Sequence, residues 1–229
     1  MKPPSFTLLF ALLLAVAGCN SGSQNSSTPL NSAPIISSGR ALREPRSAPV
    51  AGTFDYFLLN LSWSPEYCYS HPSAAECAAH DTFVLHGLWP ENADDTYPEH
   101  CSDAPGPTNP AQYADLYPSP GLLEHEWRQH GTCSGLSPDA YFQAVRSAFH
   151  EVRIPAQFSS LSTQISMSPD QILGLFTSAN PAIPRSSLVL SCGNNYLTAV
   201  DICLDRNLHP TACGALRSCR ASTVRIPPP

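Results

Sequence analysis

Hydrophobic and polar positions divide the chain into a few segments. Phe54–Trp63 is rich in aromatic and aliphatic side chains and holds no glycine or proline, so it reads as a strand. Thr82–His86 is a second, shorter one. Gly121–His130 has helical character, with Gly131 as a stop. Ser137-Pro138-Asp139 starts a helix: a capping serine, a proline in the first turn, then an acid. Phe142, Val145, Ala148 and Phe149 follow at helical spacing. Ser168-Pro169-Asp170 repeats that start, with Ile172, Leu173 and Phe176 behind it, and Asn180-Pro181 ends the helix. Ser187–Ser191 and Tyr196–Leu204 are the last strands, and no internal repeat is visible. Strands flank a helical block without regular alternation. The expected fold class is therefore α+β, a mostly antiparallel central sheet packed with helices.

The first 19 residues read differently. One cation, Lys2, precedes an apolar run from Phe6 to Ala17. A bilayer span takes about 20 residues, so the run fits a signal-peptide core. Its end, Val16-Ala17-Gly18-Cys19, resembles a bacterial lipobox with Cys19 as the lipid-modified N-terminus. An ordinary secretory signal ending near Cys19 fits too. Residues 20–52 are rich in Ser, Asn, Pro, Gly and Ala, a flexible tether of roughly 30 Å r.m.s. span. Its Arg40, Arg43 and Arg46 are either solvated linker charge or a weak contact for anionic lipid. The folded domain is expected over 53–229, ending in a free, disordered Ile226-Pro227-Pro228-Pro229 tail. The expected destination is export, to the periplasm or cell surface on a lipid anchor, or otherwise by secretion.

Composition narrows the function. The 229-residue chain is 42% hydrophobic and 13% charged, which excludes wholesale disorder. Its formal net charge is −6, and Lys2 is its only lysine. From residue 53 onward, 8 arginines stand against 17 acids, a net of −9 (8 − 17). That balance excludes a broad basic surface gripping duplex nucleic acid by charge alone. Of nine cysteines, setting Cys19 aside leaves eight: Cys68, Cys77, Cys101, Cys133, Cys192, Cys203, Cys213 and Cys219. An exported chain of this kind usually forms four disulfides, in a pairing the arithmetic leaves open. Cys68-x2-His71 and Cys77-x2-His80 also have the spacing of two half zinc sites.

Two segments carry candidate chemistry: Phe83-Val84-Leu85-His86-Gly87-Leu88-Trp89-Pro90, and His125-Glu126-Trp127-Arg128-Gln129-His130-Gly131-Thr132-Cys133. The second begins like the zinc-protease pattern H-E-x-x-H, but its histidines are five apart rather than four. Five helical steps separate side chains by about 140°, too wide for one metal ion on a regular helix. With His125 at zero, Gln129 falls near about 40°, Glu126 near about 100° and His130 near about 140°, while Trp127 and Arg128 lie outside that arc. The arc is a shallow cradle suited to an extended anion with a proton to remove. His86, at a strand end, supplies a third imidazole. Three imidazoles suit acid–base chemistry on a phosphodiester. His71, His80, His100, His150 and His209 read as structural or surface residues.

FVLHGLWP and HEWRQHGTC resemble the two active-site segments of the ribonuclease T2 family. Leu61–Cys68 resembles that family's opening strand, and Tyr196–Cys213 its last strand and cysteine loop. The resemblance implies a ribonuclease T2-like fold and an endoribonuclease acting on single-stranded RNA. Cleavage would run through a 2′,3′-cyclic phosphate, with no metal and no cofactor. His130 would be general base on the 2′-OH, His86 general acid on the leaving oxygen, and Glu126 a stabiliser of the pentacovalent state. His125 would bind phosphate, with Gln129 beside it and Arg128 a longer-reaching candidate. Trp89 and Tyr97 would stack on a base and Glu91 would read its edge. Gln129 stands where the family usually has lysine, which also motivates an alternative: a catalytically weakened RNA- or protein-binding member. The implied disulfides are Cys68–Cys77, Cys101–Cys133, Cys192–Cys219 and Cys203–Cys213. A monomer is expected, touching membrane only through Cys19. Trp63 is expected in the core.

Overall fold

A computed structural model describes residues 50–74, 77, 82–117, 119–159 and 161–229. The segment expected to be a signal, with Cys19, the arginines of the expected tether and His80 lie outside the described residues. Within them run β1 (Tyr56–Trp63), α1 (Ser64–Ser70), β2 (Phe83–Glu91), α2 (Pro120–Gln129), α3 (Pro138–His150), β3 (Ile165–Met167), α4 (Pro169–Ala179), β4 (Leu188–Gly193), β5 (Tyr196–Leu204) and β6 (Val224–Ile226). The six strands form one sheet in the order β2-β1-β5-β6-β3, with β4 also on β5. All pairings are antiparallel except the short β5–β6 contact.

The helix starts follow their caps. Ser137 accepts the Ala140 N–H at the head of α3, and Ser168 with Gln171 closes a reciprocal cap on α4. Both helices bury the predicted stripe: Phe142 and Val145 on α3, Ile172, Leu173 and Phe176 on α4. These meet Phe57, Leu59, Leu61 and Trp63 of β1 in the main core. The opposite face of the sheet is different. There Tyr56 and Leu58 join Val189, Cys203 and Cys213 in a small apolar cluster. Asn60, Ser62 and Asp201 continue that face as a polar stripe, with Asn60 paired to Asp201 and Ser62 to Ala199 across β1 and β5.

The C-terminal end corrects the sequence expectation. Ile226 is the last residue of a strand and is fully buried. The Pro227 carbonyl accepts the Trp63 indole N–H at 3.1 Å. Proline lacks an N–H but keeps its carbonyl, and that acceptor satisfies a core tryptophan. The four disulfides implied by the family resemblance are all formed. With Cys68 bridged to Cys77, no zinc thiolates remain there. Such bridges fit an oxidising compartment.

Candidate active site

His86 owes its position to an irregularity. Asn60 pairs with Gly87 but Leu61 with Leu85, so His86 is an extra residue in β2. Such a bulge re-aims the side chains that follow it. Phe83 and Leu85 face the core before it, and Leu88 and Pro90 after it. His86 and Trp89 thereby share the other face, three residues apart, with ring centroids 5.2 Å from each other.

The α2 helix brings the second segment to that face. Trp127 anchors it in the core and donates to the Ala104 carbonyl at 2.8 Å. Glu126 is wholly buried beneath β2. The approach is so close that a Cβ on Gly87 would collide with Glu126 Oε2 and Trp89 Nε1. The end of the helix is fixed by Cys101–Cys133, by the Tyr141 hydroxyl donating to the Leu88 carbonyl at 2.8 Å, and by Gly131, where a side chain would strike Trp127 and Tyr141.

Around Glu126 the predicted residues converge. Its Oε2 accepts the Trp89 indole N–H at 2.8 Å, and its Oε1 lies 3.7 Å from His86 Nε2. The Trp89 ring stacks on His130 at 5.0 Å, and His125 stands 6.3 Å from His130. Burial pushes the Glu126 carboxyl up to about 8, against a smaller opposing effect of the Trp89 hydrogen bond. It is therefore a neutral acid at pH 7.

Two expectations need correction. The wheel made the two histidines too divergent for one ion. Instead, donor atoms of His125, Glu126 and His130 all lie within 4.8 Å of one another. The regular helix stops at Gln129, and His130 takes φ −118°, which returns its ring toward His125. The trio can therefore grip one small group, whether a phosphate oxygen or an ion. Arg128 is not brought to this cluster. It pairs with Glu124 at 3.8 Å, one helical turn earlier, and lines a separate cavity of about 720 Å³ against residues 103–110. Gln129 is half-buried at the helix end, where its carbonyl accepts the His100 N–H. Glu91 is buried at the Tyr56 end of β2, and Tyr97 is half-buried beyond it.

A set of residues escaped the sequence reading. Ser62 Oγ lies 3.2 Å from His86 Nδ1 and donates to Asn60 Oδ1 at 3.1 Å. Asn60 Nδ2 donates to Asp201 Oδ1 at 2.6 Å, and the Ser191 hydroxyl to Asp201 Oδ2 at 2.7 Å. The available signal was a lone acid inside the apolar run Tyr196–Leu204, and Asn60 and Ser62 two apart in β1.

The Ribonuclease T2 family profile matches residues 54–213, most of the chain and both segments. The chain belongs to the ribonuclease T2 family. A ribonuclease of Aeromonas hydrophila is 41% identical over 111 residues, covering 48% of this chain and 51% of the relative. A probable ribonuclease of Haemophilus influenzae is 30% identical over 178 residues, covering 69% of this chain and 61% of the relative. The chain thus spans between half and two thirds of the length of these two relatives. Among solved structures, an RNase-related protein from Calystegia sepium superposes with a TM-score of 0.63 at 26% identity, over 76% of this chain and 97% of its own. RNase NT, solved with 5′-AMP, gives a TM-score of 0.60 at 21% identity, over 76% of this chain and 98% of its own, a likeness of fold. These T2 folds share the α+β architecture described above.

Proposed function

We propose that this T2 protein is an exported endoribonuclease that cleaves single-stranded RNA by transphosphorylation, without metal or cofactor. The observation that carries the reading is the meeting of His86, His125, His130 and a neutral Glu126 around one point. His130 takes the proton of the 2′-OH as that oxygen attacks phosphorus. His86 gives a proton from Nε2 to the departing 5′-oxygen. The products are a 2′,3′-cyclic phosphate and a 5′-hydroxyl. His125 holds a phosphoryl oxygen, and the Glu126 Oε1–H donates to the charge that develops on the pentacovalent phosphorus. An ionised carboxylate there would repel that charge, so burial sets the form the step needs.

The buried stripe supports the role of His86. A carboxylate only accepts hydrogen bonds, so Asp201 orients the Asn60 amide with its oxygen toward Ser62. The Ser62 hydroxyl then donates to Asn60, and its oxygen is left to accept from His86 Nδ1–H. That tautomer leaves Nε2 to carry the mobile proton. Trp89 and Tyr97 form the base side, with Trp89 also holding Glu126, while Glu91 is buried and offers a base no accessible edge. The protein acts as a monomer, held to a membrane through Cys19 if the lipobox is used. Mass spectrometry of the mature N-terminus tests that anchor.

Gln129 favours a second reading, a member that binds RNA or protein without cutting, because it brings no charge where the family usually has lysine. Incubating the purified protein with single-stranded RNA and EDTA separates the two. Cyclic phosphate ends formed in EDTA support cleavage as written. Loss of cleavage in EDTA would turn the His125–Glu126–His130 trio into a metal site. No cleavage from pH 4 to 8 leaves the binding reading.

A further inference from the structure

A groove of about 580 Å³ leads away from His86 across the polar face of β1, β5 and β4. Asn60, Ser62 and Ser191 floor it, Arg217 and Arg220 stand along it, and Asp95 is the one acid among its lining residues. Glu126, His125, His130 and Trp89 do not line it. It is a separate space that shares only one reacting group with the site.

The two arginines are unlike most others in the domain. Arg128, Arg146 and Arg185 are paired with acids, and Arg206 and Arg225 lie over aromatic rings. Arg217 and Arg220 are exposed, and among the described residues no ion pair or hydrogen bond engages their guanidinium groups. Arg153 is the third in that condition, and it follows α3, off the groove. Their segment is also held firmly. Cys203–Cys213 and Cys192–Cys219 tie it to the sheet. The Cys219 N–H donates to the Leu190 carbonyl at 2.7 Å, and the Leu190 N–H to Ser218 Oγ at 2.9 Å. A planar guanidinium matches a phosphate in two-point contact, and a pinned loop places it in advance. In a domain of net −9, such a groove is where a polyanion is locally favoured.

The groove also has a direction. In the proposed reaction His86 serves the leaving oxygen, and the groove adjoins His86 alone. Trp89 and Glu91 lie toward the Leu58 and Tyr56 end of β1, whereas the floor of the groove lies at Asn60 and Ser62, with Asp95 on its wall. We infer that Arg217 and Arg220 bind backbone phosphates of the RNA strand on the 3′ side of the cleaved linkage, an inference that rests on the acid role proposed for His86. The protein then holds the departing strand as well as the base it cuts after.

The test compares three substrates: a dinucleotide, the same dinucleotide lengthened by four nucleotides at its 3′ end, and one lengthened likewise at its 5′ end. The protein is used as wild type and as the double variant Arg217→Gln/Arg220→Gln. The ratio of kcat/KM for the 3′-extended to the 5′-extended substrate should fall about 10-fold in the variant. The log–log salt slope on the 3′-extended substrate should flatten by about 1.4, two phosphate contacts on a single strand. An unchanged ratio, or a loss confined to the 5′-extended substrate, overturns the inference. If wild type cuts none of the three, binding of their 2′-O-methyl forms decides. Weaker binding of the long forms by the variant keeps the groove and removes the cleavage reading. Equal binding removes the groove.

Discussion

Glu126 meets Trp89 on one oxygen and faces His86 with the other, out of reach of solvent. Its carboxyl sits at about 8, against 4.5 when exposed. A raised acid favours folding while protonated in both states, so its contribution is complete below pH 4.5 and is lost as pH rises through 8. Glu126→Gln keeps the shape and cannot ionise. Wild type should therefore lose stability relative to Glu126→Gln from pH 5 to 9, by on the order of 4 kcal/mol at the alkaline end. Urea melts at pH 5, 7 and 9 measure it, and parallel pH curves would refute the neutral carboxyl. Gln129 gives a prediction of opposite sense. Removing a preorganised stabilising group costs about 10²–10³ in rate. Gln129→Lys should raise kcat by at least about 10-fold, and no gain would place the missing charge outside the mechanism. At this scale the motif residues were legible because their spacing is local. Arg128 was not, since which neighbour a long cation chooses depends on Glu124 and on the 103–110 segment packed beside it.

Strand β2 carries His86 and strands β1 and β5 carry what orients it, so the proposed acid is a property of three paired elements. Ser62→Ala removes the acceptor for His86 Nδ1–H and thereby disfavours the protonated ring. The alkaline limb of kcat/KM against pH should move to lower pH, with the rate on the acidic side nearly kept. A uniform loss at every pH would mean that Ser62 only supports packing. Gly87→Ala tests the contact between β2 and α2. It should abolish turnover or folding, because the added carbon falls on the Glu126 carboxyl. Melting curves separate those two outcomes, and a fully active, stable variant would refute the close approach. Helices α3 and α4 were legible from their serine caps and apolar spacing, and β5 to the residue. Helix α1 and strands β3 and β6 were not. They are short, and their partners lie far along the chain, as Trp63 does from Pro227. The bulge and the Asn60–Asp201 pair escaped for the same reason: register is a relation between strands.

Over the whole molecule, four bridges divide the labour. Cys101–Cys133 joins the loop after β2 to the end of α2 across a separation of 32 residues, while Cys68–Cys77 closes 9 beside α1. The chain-entropy model gives the longer loop roughly 1 kcal/mol more stabilisation. Cys101→Ser/Cys133→Ser should lose about 3 kcal/mol and also lower kcat at temperatures where the protein is still folded, because His130 is no longer held. Cys68→Ser/Cys77→Ser should lose less stability and keep its rate. Equal kinetic losses would show that the bridges act only on global stability. The extra residue at His86 has a further consequence, for inheritance. Substitution can edit β2 one side chain at a time, but a one-residue insertion or deletion between Leu85 and Leu88 would turn the remainder of the strand inside out. Trp89 would go to the core, Leu88 to the face that carries His86, and no intermediate length would work. The length of this strand is thus locked in a way its spelling is not, and variation in the protein's size must collect in the loops on either side of it.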